Sequence, residues 1–430
     1  MLKRIIGYLQ ANLYMPVTII YLYLLNAKNK IIYILSRSKI LQNKPLNSKN
    51  TIVFALFQKG KLRGDIRFVI EFLKKKGFDI VGVNTQKLVG DDIELFDYYV
   101  ERKNYGQDFG SYKLAFTRLF KRKDFDPEKI IMLNDSIFFC RDNLDEFFND
   151  LLDKNFDVIG ATENFEVSYH LGSFCISLSN LIFKEKKFRK FWKNFKLTNI
   201  RPTNIKKGEM GLSKALKESL PSADKLHIIF GSKKILDFIN ENDDLLNDFN
   251  SMSRRSDFVH WKRPNGKEVI NYVLQRLTSR SQLSASGFLA DEWSDSDIEF
   301  DFDMNIDLDV GSDEYGYVDG YDGFKCFFEK YQINIPEKDL KAAIQVTILN
   351  SFREGSQIHQ NFIWNYCMGC PILKNDGVYR GMWNMEDVIN LKKYMEAEDF
   401  KEFSKILLSR QYGMTTLKGW RLYAFSEGYI

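Results

Sequence analysis

The run IIMLNDSIFFC, residues 130–140, sets an amide, a carboxylate and a hydroxyl (Asn134, Asp135 and Ser136) between two apolar stretches. Open α/β sheets bind ligands at the carboxyl ends of their strands, so three polar side chains that close an apolar strand are candidates for ligand contact. A second candidate is the loop RKNYGQDFG, residues 102–110. Gly106 and Gly110 would let the backbone approach a ligand, Arg102 and Lys103 bring positive charge, and Asn104 and Asp108 bring hydrogen-bonding groups. The helix expected over 111–121 begins beside this loop, with its positive end suited to phosphate. Lys59, Lys61 and Arg63 supply further cations in an earlier Gly- and Lys-rich loop.

These residues need elements to hold them, and the pattern from Thr51 onward provides them. Short apolar runs alternate with amphipathic segments, the signature of a sheet with crossover helices. TIVFALF (51–57), DIVGV (79–83), residues 98–100, IIML (130–133), DVIGAT (157–162) and SFCISL (173–178) read as strands. Ile66, Val69, Ile70 and Leu73 recur at helical spacing, as do Tyr112, Ala115, Phe116 and Leu119. Asn143 is expected to cap a helix whose first turn holds Asp145 and Glu146. Phe188, Phe191, Trp192 and Phe195 mark another helix, and Leu212, Ala215 and Leu216 one that starts at Glu209. Beyond Pro336 the chain reads as helical to its end.

A chain of 430 residues, 44% hydrophobic, can bury a full-sized core without metal or disulfide staples. The formal net charge of +5 hides an asymmetry: between Ser281 and Phe324 there are thirteen Asp or Glu and no Lys or Arg, so the rest is strongly basic. Such surfaces favour anionic partners, among them phosphate ligands and the anionic face of a membrane. Nucleic acid is not expected, because the lysines are dispersed and no recognition motif is present. Within the acidic region, residues 298–310 alternate apolar with acidic or amide side chains and predict a strand with one acidic face. Asp303, Asn305, Asp307 and Glu314 match EF-hand spacing, but Leu308 stands where glycine is required, so calcium is not expected. Five cysteines without framework spacing indicate a reducing compartment, and Cys367-x-x-Cys370 lacks the second pair a zinc site needs. The apolar stretch over residues 5–25 is interrupted by Gln10, Asn12 and Pro16, which predicts a segment lying on a membrane interface; a pair of helices packed on the protein is the alternative. The resulting organisation is 1–48 membrane-associating, 49–260 ligand-binding α/β, 261–335 an acidic insertion and 336–430 helical.

RKNYGQDFGSYKLAF, IIMLNDSIFF, DVIGATENFEVSYHLGSFCISL, FRKFWKNF and GEMGLSKAL follow one another in an order that resembles the rhamnan synthesis protein F family of bacterial polysaccharide glycosyltransferases. The resemblance covers about residues 50–220, with a weaker echo at 359–374, HQNFIWNYCMGCPILK. It implies a GT-A-like, Rossmann-like mixed sheet flanked by helices, and a transfer, inverting as a rule, from a nucleotide sugar such as a UDP- or dTDP-sugar. The sugar could be rhamnose or another hexose, the acceptor a lipid-linked or polysaccharide glycan, and the setting the cytoplasmic face of the cell membrane.

Such transfer needs the departing diphosphate neutralised and a base for the acceptor hydroxyl. GT-A enzymes as a rule place a DxD pair at a strand end, where this chain has Asn134, Asp135 and Ser136, so Asp135 alone would hold a divalent ion, Mg²⁺ or Mn²⁺, unless fixed cations such as Arg102 or Lys113 replace it. The resemblance makes Glu209 the base and sets His170, Ser173 and Lys374 against phosphate or acceptor; the chain departs from the family run before Lys374, where it reads IHQN. A capsule-type sugar-phosphate transferase and a non-catalytic glycosyltransferase-like scaffold are the competing readings.

Overall fold

The computed structural model describes residues 2–165, 167–252, 270, 273, 320–353, 356–379, 383, 385–409, 420–426 and 428–429. The alternating acidic run and the EF-hand-like positions lie outside these residues.

Among the described residues, eight strands form one mixed sheet. Its centre is β2 (Asn50–Leu56), flanked by β3 (Asp79–Asn84) and β5 (Lys129–Asn134), both parallel to it. β4 (Tyr98–Glu101) extends the parallel set beyond β3, and β1 (Lys39–Asn43) closes that edge antiparallel. On the other side β10 (Cys175–Ser179) runs antiparallel to β5 and to β7 (Val158–Gly160), and β11 (Leu226–Ile228) pairs parallel with β7 at the far edge.

β2 is apolar almost throughout because both of its faces are covered. Ile52, Phe54 and Leu56 point to one layer, which contains α2 (Gly64–Lys75) and most of the C-terminal helices; Val53 and Ala55 point to the other, built on α3 (Gln107–Leu119). The second layer centres on an aromatic cluster. Trp192, fully buried, stacks on Phe116 at a 5.1 Å centroid separation and meets Tyr112, Phe109 and Phe188 at 6.0–6.2 Å.

Several sequence expectations change. The N-terminal segment is one helix, α1 (Leu2–Leu35); it runs through Pro16, whose missing N–H removes one backbone bond without ending the helix. Among the described residues no helix is long and apolar enough to cross a membrane. α3 starts at Gln107 rather than at 111, because Gly106, at φ 81, makes the left-handed turn that lets it begin early. Asn143 does not cap α4 (Leu144–Leu151) with its side chain: it sits at φ 55, and its carbonyl accepts from the Phe147 N–H instead. The C-terminal region is not wholly helical, since Ile372–Lys374 forms a strand, β12, antiparallel to β6 (Ile137–Phe139). Cys367 ends a helix (Phe362–Cys367), and Cys370 lies between that helix and β12.

Candidate active site

The chain moves outward from β2 to β3 and β4, then crosses back through α3 to lay β5 on the other side of β2. β2 and β5 therefore meet at the switch point where an open α/β sheet leaves a crevice at its strand ends. Asp135 occupies that point. Its N–H donates to the Ala55 carbonyl at 3.2 Å, and its Oδ2 accepts from the Phe57 N–H at 2.6 Å and from the Gln58 side-chain amide. The Arg63 guanidinium and the Asn375 amide both donate to its backbone carbonyl, each at 3.2 Å. Burial raises the Asp135 carboxyl above its ordinary range, and the bonds from Gln58 and Phe57 oppose that rise.

The neighbours of Asp135 form a hydrogen-bonded chain across the crevice. Asn134 donates from Nδ2 to Asp108 Oδ2 at 2.8 Å, while its Oδ1 accepts from the Ser136 hydroxyl at 2.6 Å. Lys374 Nζ donates to Ser136 Oγ at 2.6 Å. The pairing of β12 with β6 explains this reach across 238 residues, because it sets Lys374 opposite Ile137. Asp108, in the first turn of α3, is pushed up to about 7 by burial, then by the charges of Asp135 and Asp376; Lys374 and Arg102 oppose them. The amide at 134 thus bridges to a carboxylate supplied by another element.

A second cluster sits beside the first. Ile200 precedes a continuous helical run: Arg201–Asn204, a π-helical turn Ile205–Glu209, and Met210–Ser219. Glu209 is consequently not in a first turn, and the helix dipole does not account for it. π-turns inside helices occur frequently at functional sites. Gly208 fits this turn tightly against the Phe109 ring, where an added Cβ would lie 3.0 Å from its atoms. The Glu209 Oε2 lies 3.6 Å from His170 Nε2. His170 Nδ1 is 2.7 Å from the Ser168 carbonyl, which can only accept, so Nδ1 carries the hydrogen and Nε2 is left to face Glu209. Ser173 hydrogen-bonds the same carboxylate. Burial raises Glu209 above its ordinary range, while His170, Lys374, Arg201 and Ser173 pull against it. The Leu171 N–H donates to Ser213 Oγ at 2.9 Å, which fixes the strand bearing His170, β9 (His170–Leu171), to the helix after Glu209.

Asp108, Asn134, Asp135, Ser136, His170, Ser173, Glu209 and Lys374 converge, whereas other residues of the 102–113 loop do not face the crevice. Arg102 is buried and clamps its own turn: it donates to Ser111 Oγ and to the carbonyls of Lys103, Tyr105 and Gln107. Gly110 makes room for that clamp rather than for a ligand, since a Cβ there would lie 2.3 Å from the Tyr105 carbonyl and 2.5 Å from Arg102 Nη2. Gly106 shapes the turn, and its N–H donates to Asn199 Oδ1 at 2.7 Å. Lys113 donates to the carbonyls of Lys193 and Phe195, tying α3 to the helix Lys186–Asn194. Asn104 is exposed at the turn. Sequence reasoning missed Gln58, Arg201, Asn375 and Asp376. Only Gln58 carried a signal, as the first polar residue after β2.

The donor set is compatible with a divalent cation. Asp135 and Asp108 give two carboxylates, enough for Mg²⁺ when substrate phosphates and water complete its shell. Among the described residues there is no cluster of three or more His, Cys, Asp or Glu able to bind a metal by itself.

The model of the family described as rhamnan synthesis protein F matches residues 81–264. That stretch holds Asp108, Asn134, Asp135, Ser136, His170, Ser173, Arg201 and Glu209, and excludes Lys374. An uncharacterised protein, y4gN, of Sinorhizobium fredii (strain NBRC 101917 / NGR234) is 25% identical over 179 residues, which are 40% of this chain and 46% of that protein. The alignment thus spans less than half of the relative's length. Among solved structures, that of the glycosyltransferase GlyE in Streptococcus pneumoniae TIGR4 is similar at 12% identity and a TM-score of 0.24, over 47% of this chain and 50% of that one.

Proposed function

We propose that this protein is a nucleotide-sugar-dependent glycosyltransferase of GT-A type, working in polysaccharide synthesis on a lipid-linked or polysaccharide acceptor at the cytoplasmic face of the membrane. The observation that carries the reading is the convergence, at the β2/β5 switch point, of the Asp108–Asn134–Ser136–Lys374 chain with the Glu209–His170 pair. The match to the rhamnan synthesis protein F family over the stretch that holds most of these residues supports the same reading.

In this mechanism Lys374, the Ser136 hydroxyl and Arg201 bind the donor diphosphate. Asp135 and Asp108 would hold a divalent ion, Mg²⁺ or Mn²⁺, which when bound neutralises charge on the leaving phosphate. The acceptor hydroxyl attacks the anomeric carbon, the bond from that carbon to the phosphate oxygen breaks, and Glu209 Oε2 takes the hydroxyl proton. His170, when it carries hydrogens on both ring nitrogens, attracts the carboxylate through Nε2 at 3.6 Å, and Ser173 holds it toward the acceptor. One attack from the face opposite the leaving group inverts the anomeric centre.

A thermal-shift panel of UDP-, dTDP- and GDP-sugars, with and without Mg²⁺ or Mn²⁺, tests donor binding directly. One or a few donors are expected to raise Tm, and stabilisation by none of them would overturn the reading. Product mass separates sugar transfer from sugar-phosphate transfer.

A further inference from the structure

From the geometry of α1 we propose that its outer face is an in-plane docking surface for an anionic lipid bilayer, a partner surface that extends the membrane-side location proposed above. At 3.6 residues per turn, Thr18, Leu22, Asn26 and Tyr33 share one side of the helix. That side is anchored to the protein. Thr18 and Leu22 are buried, the Tyr21 ring meets Trp420 edge-on at 4.6 Å, and Tyr33 lies 5.4 Å from the Tyr105 ring. Asn26 Oδ1 accepts from the Asn199 N–H at 2.8 Å and from the Thr198 hydroxyl at 3.2 Å.

The opposite side carries Val17, Ile20, Leu24, Ile31, Ile34 and Leu35, each 59–79% exposed. Scattered single apolar residues on a surface are ordinary, but six on one stripe of one helix are not. Helical spacing places Lys28 on one border of this stripe and Lys30 on the other, where long side chains reach headgroups while the stripe enters the acyl boundary. Charge selects the occupant: α1 contains four Lys or Arg, Lys3, Arg4, Lys28 and Lys30, and no Asp or Glu. An anionic surface complements such a segment, and a second copy of the same basic segment would repel it.

The anchored side connects this surface to the site. Asn199, held by Asn26 through its N–H, uses its Oδ1 to accept from the Gly106 N–H, two residues before Asp108. A helix lying on the membrane therefore fixes the crevice at a set height above it.

The test is co-sedimentation of the full-length protein with vesicles of phosphatidylcholine, with and without phosphatidylglycerol, at low and high salt. Binding to the phosphatidylglycerol vesicles is expected, weakened by salt. The double variant Ile20→Asp/Leu24→Asp should lower the partition coefficient about tenfold or more, with Tm unchanged because both side chains are exposed. Lys28→Glu/Lys30→Glu should remove most of the preference for anionic lipid. Absence of vesicle binding at low salt, or binding that the double aspartate variant leaves intact, overturns the proposal. So does a wild-type dimer in light scattering that this variant converts to a monomer, since a second copy would then cover the face. No sugar donor enters these measurements, so their failure leaves the transferase reading untouched, and a failed donor panel leaves vesicle binding to stand.

Discussion

Glu209 and Asp108 are two half-buried carboxyls with separable tasks. Glu209 faces His170 and Ser173, and Glu209→Gln keeps the size and the hydrogen-bonding capacity while removing the base. Transfer is expected to fall at least about a hundredfold, within the usual range for a general base, while the donor-induced Tm shift persists. Lost donor binding in that variant would move Glu209 from base to binding group. Asp108 gives a prediction in pH. Its folded carboxyl titrates near 7 against an ordinary 3.8, so between these values the folded protein holds a proton that the unfolded chain releases. Stability from this group therefore falls as pH rises from about 4 to about 7, and stays low above that. Asp108→Asn keeps an oxygen to accept from Asn134 and removes the titration. In the absence of ligand the variant should melt higher than the wild type at pH 8, with the difference shrinking towards pH 4. A pH-independent difference would contradict this account.

At the scale of elements, the site depends on one three-residue strand that brings in the far end of the chain. β12 places Lys374 against Ser136 and Asn375 against the Asp135 carbonyl. Lys374→Gln removes a charged hydrogen bond, worth about 1.5–3 kcal/mol, so donor affinity should fall roughly ten- to a hundredfold by calorimetric titration. The central strands are legible in the sequence, because β2, β3 and β5 are apolar runs that only a doubly covered sheet can bury. Asn134, Asp135 and Ser136 were legible at the crevice for the same reason: polar groups that end such a strand have few other places to be. β12 was not legible. Three residues carry no periodicity, and its pairing with β6 spans more than two hundred residues. Arg102 misled for a different reason. A cation beside glycines suits phosphate and suits backbone carbonyls equally well, and only burial separates the two. The helix carrying Glu209 likewise hides its start, since Arg201-Pro202 is where the helix begins and the π-turn leaves no mark in sequence.

Across the whole molecule, the two layers divide the labour of positioning. The layer around Trp192 joins α3, which carries Asp108, to the helices that carry Arg201 and Glu209, and Phe109 reaches Gly208 directly. Truncating Trp192 to Ala should cost about 3–5 kcal/mol and loosen both carboxylates together. The other layer is one continuous cluster from Ile52 through Phe138, Phe362 and Trp383 to Ile406, with Phe362 and Trp383 stacked at 3.9 Å. Among the described residues this cluster runs unbroken from the sheet into the C-terminal helices that flank Lys374. Calorimetry is therefore expected to find sheet and C-terminal helices melting in one transition, and a chain cut before Glu337 should show no cooperative unfolding, because Ile52, Phe54 and Leu56 would lose their cover. Two separated transitions would mean that β12 docks onto an independently folded sheet. In that case donor binding should survive the loss of the C-terminal helices with only the Lys374 contribution missing.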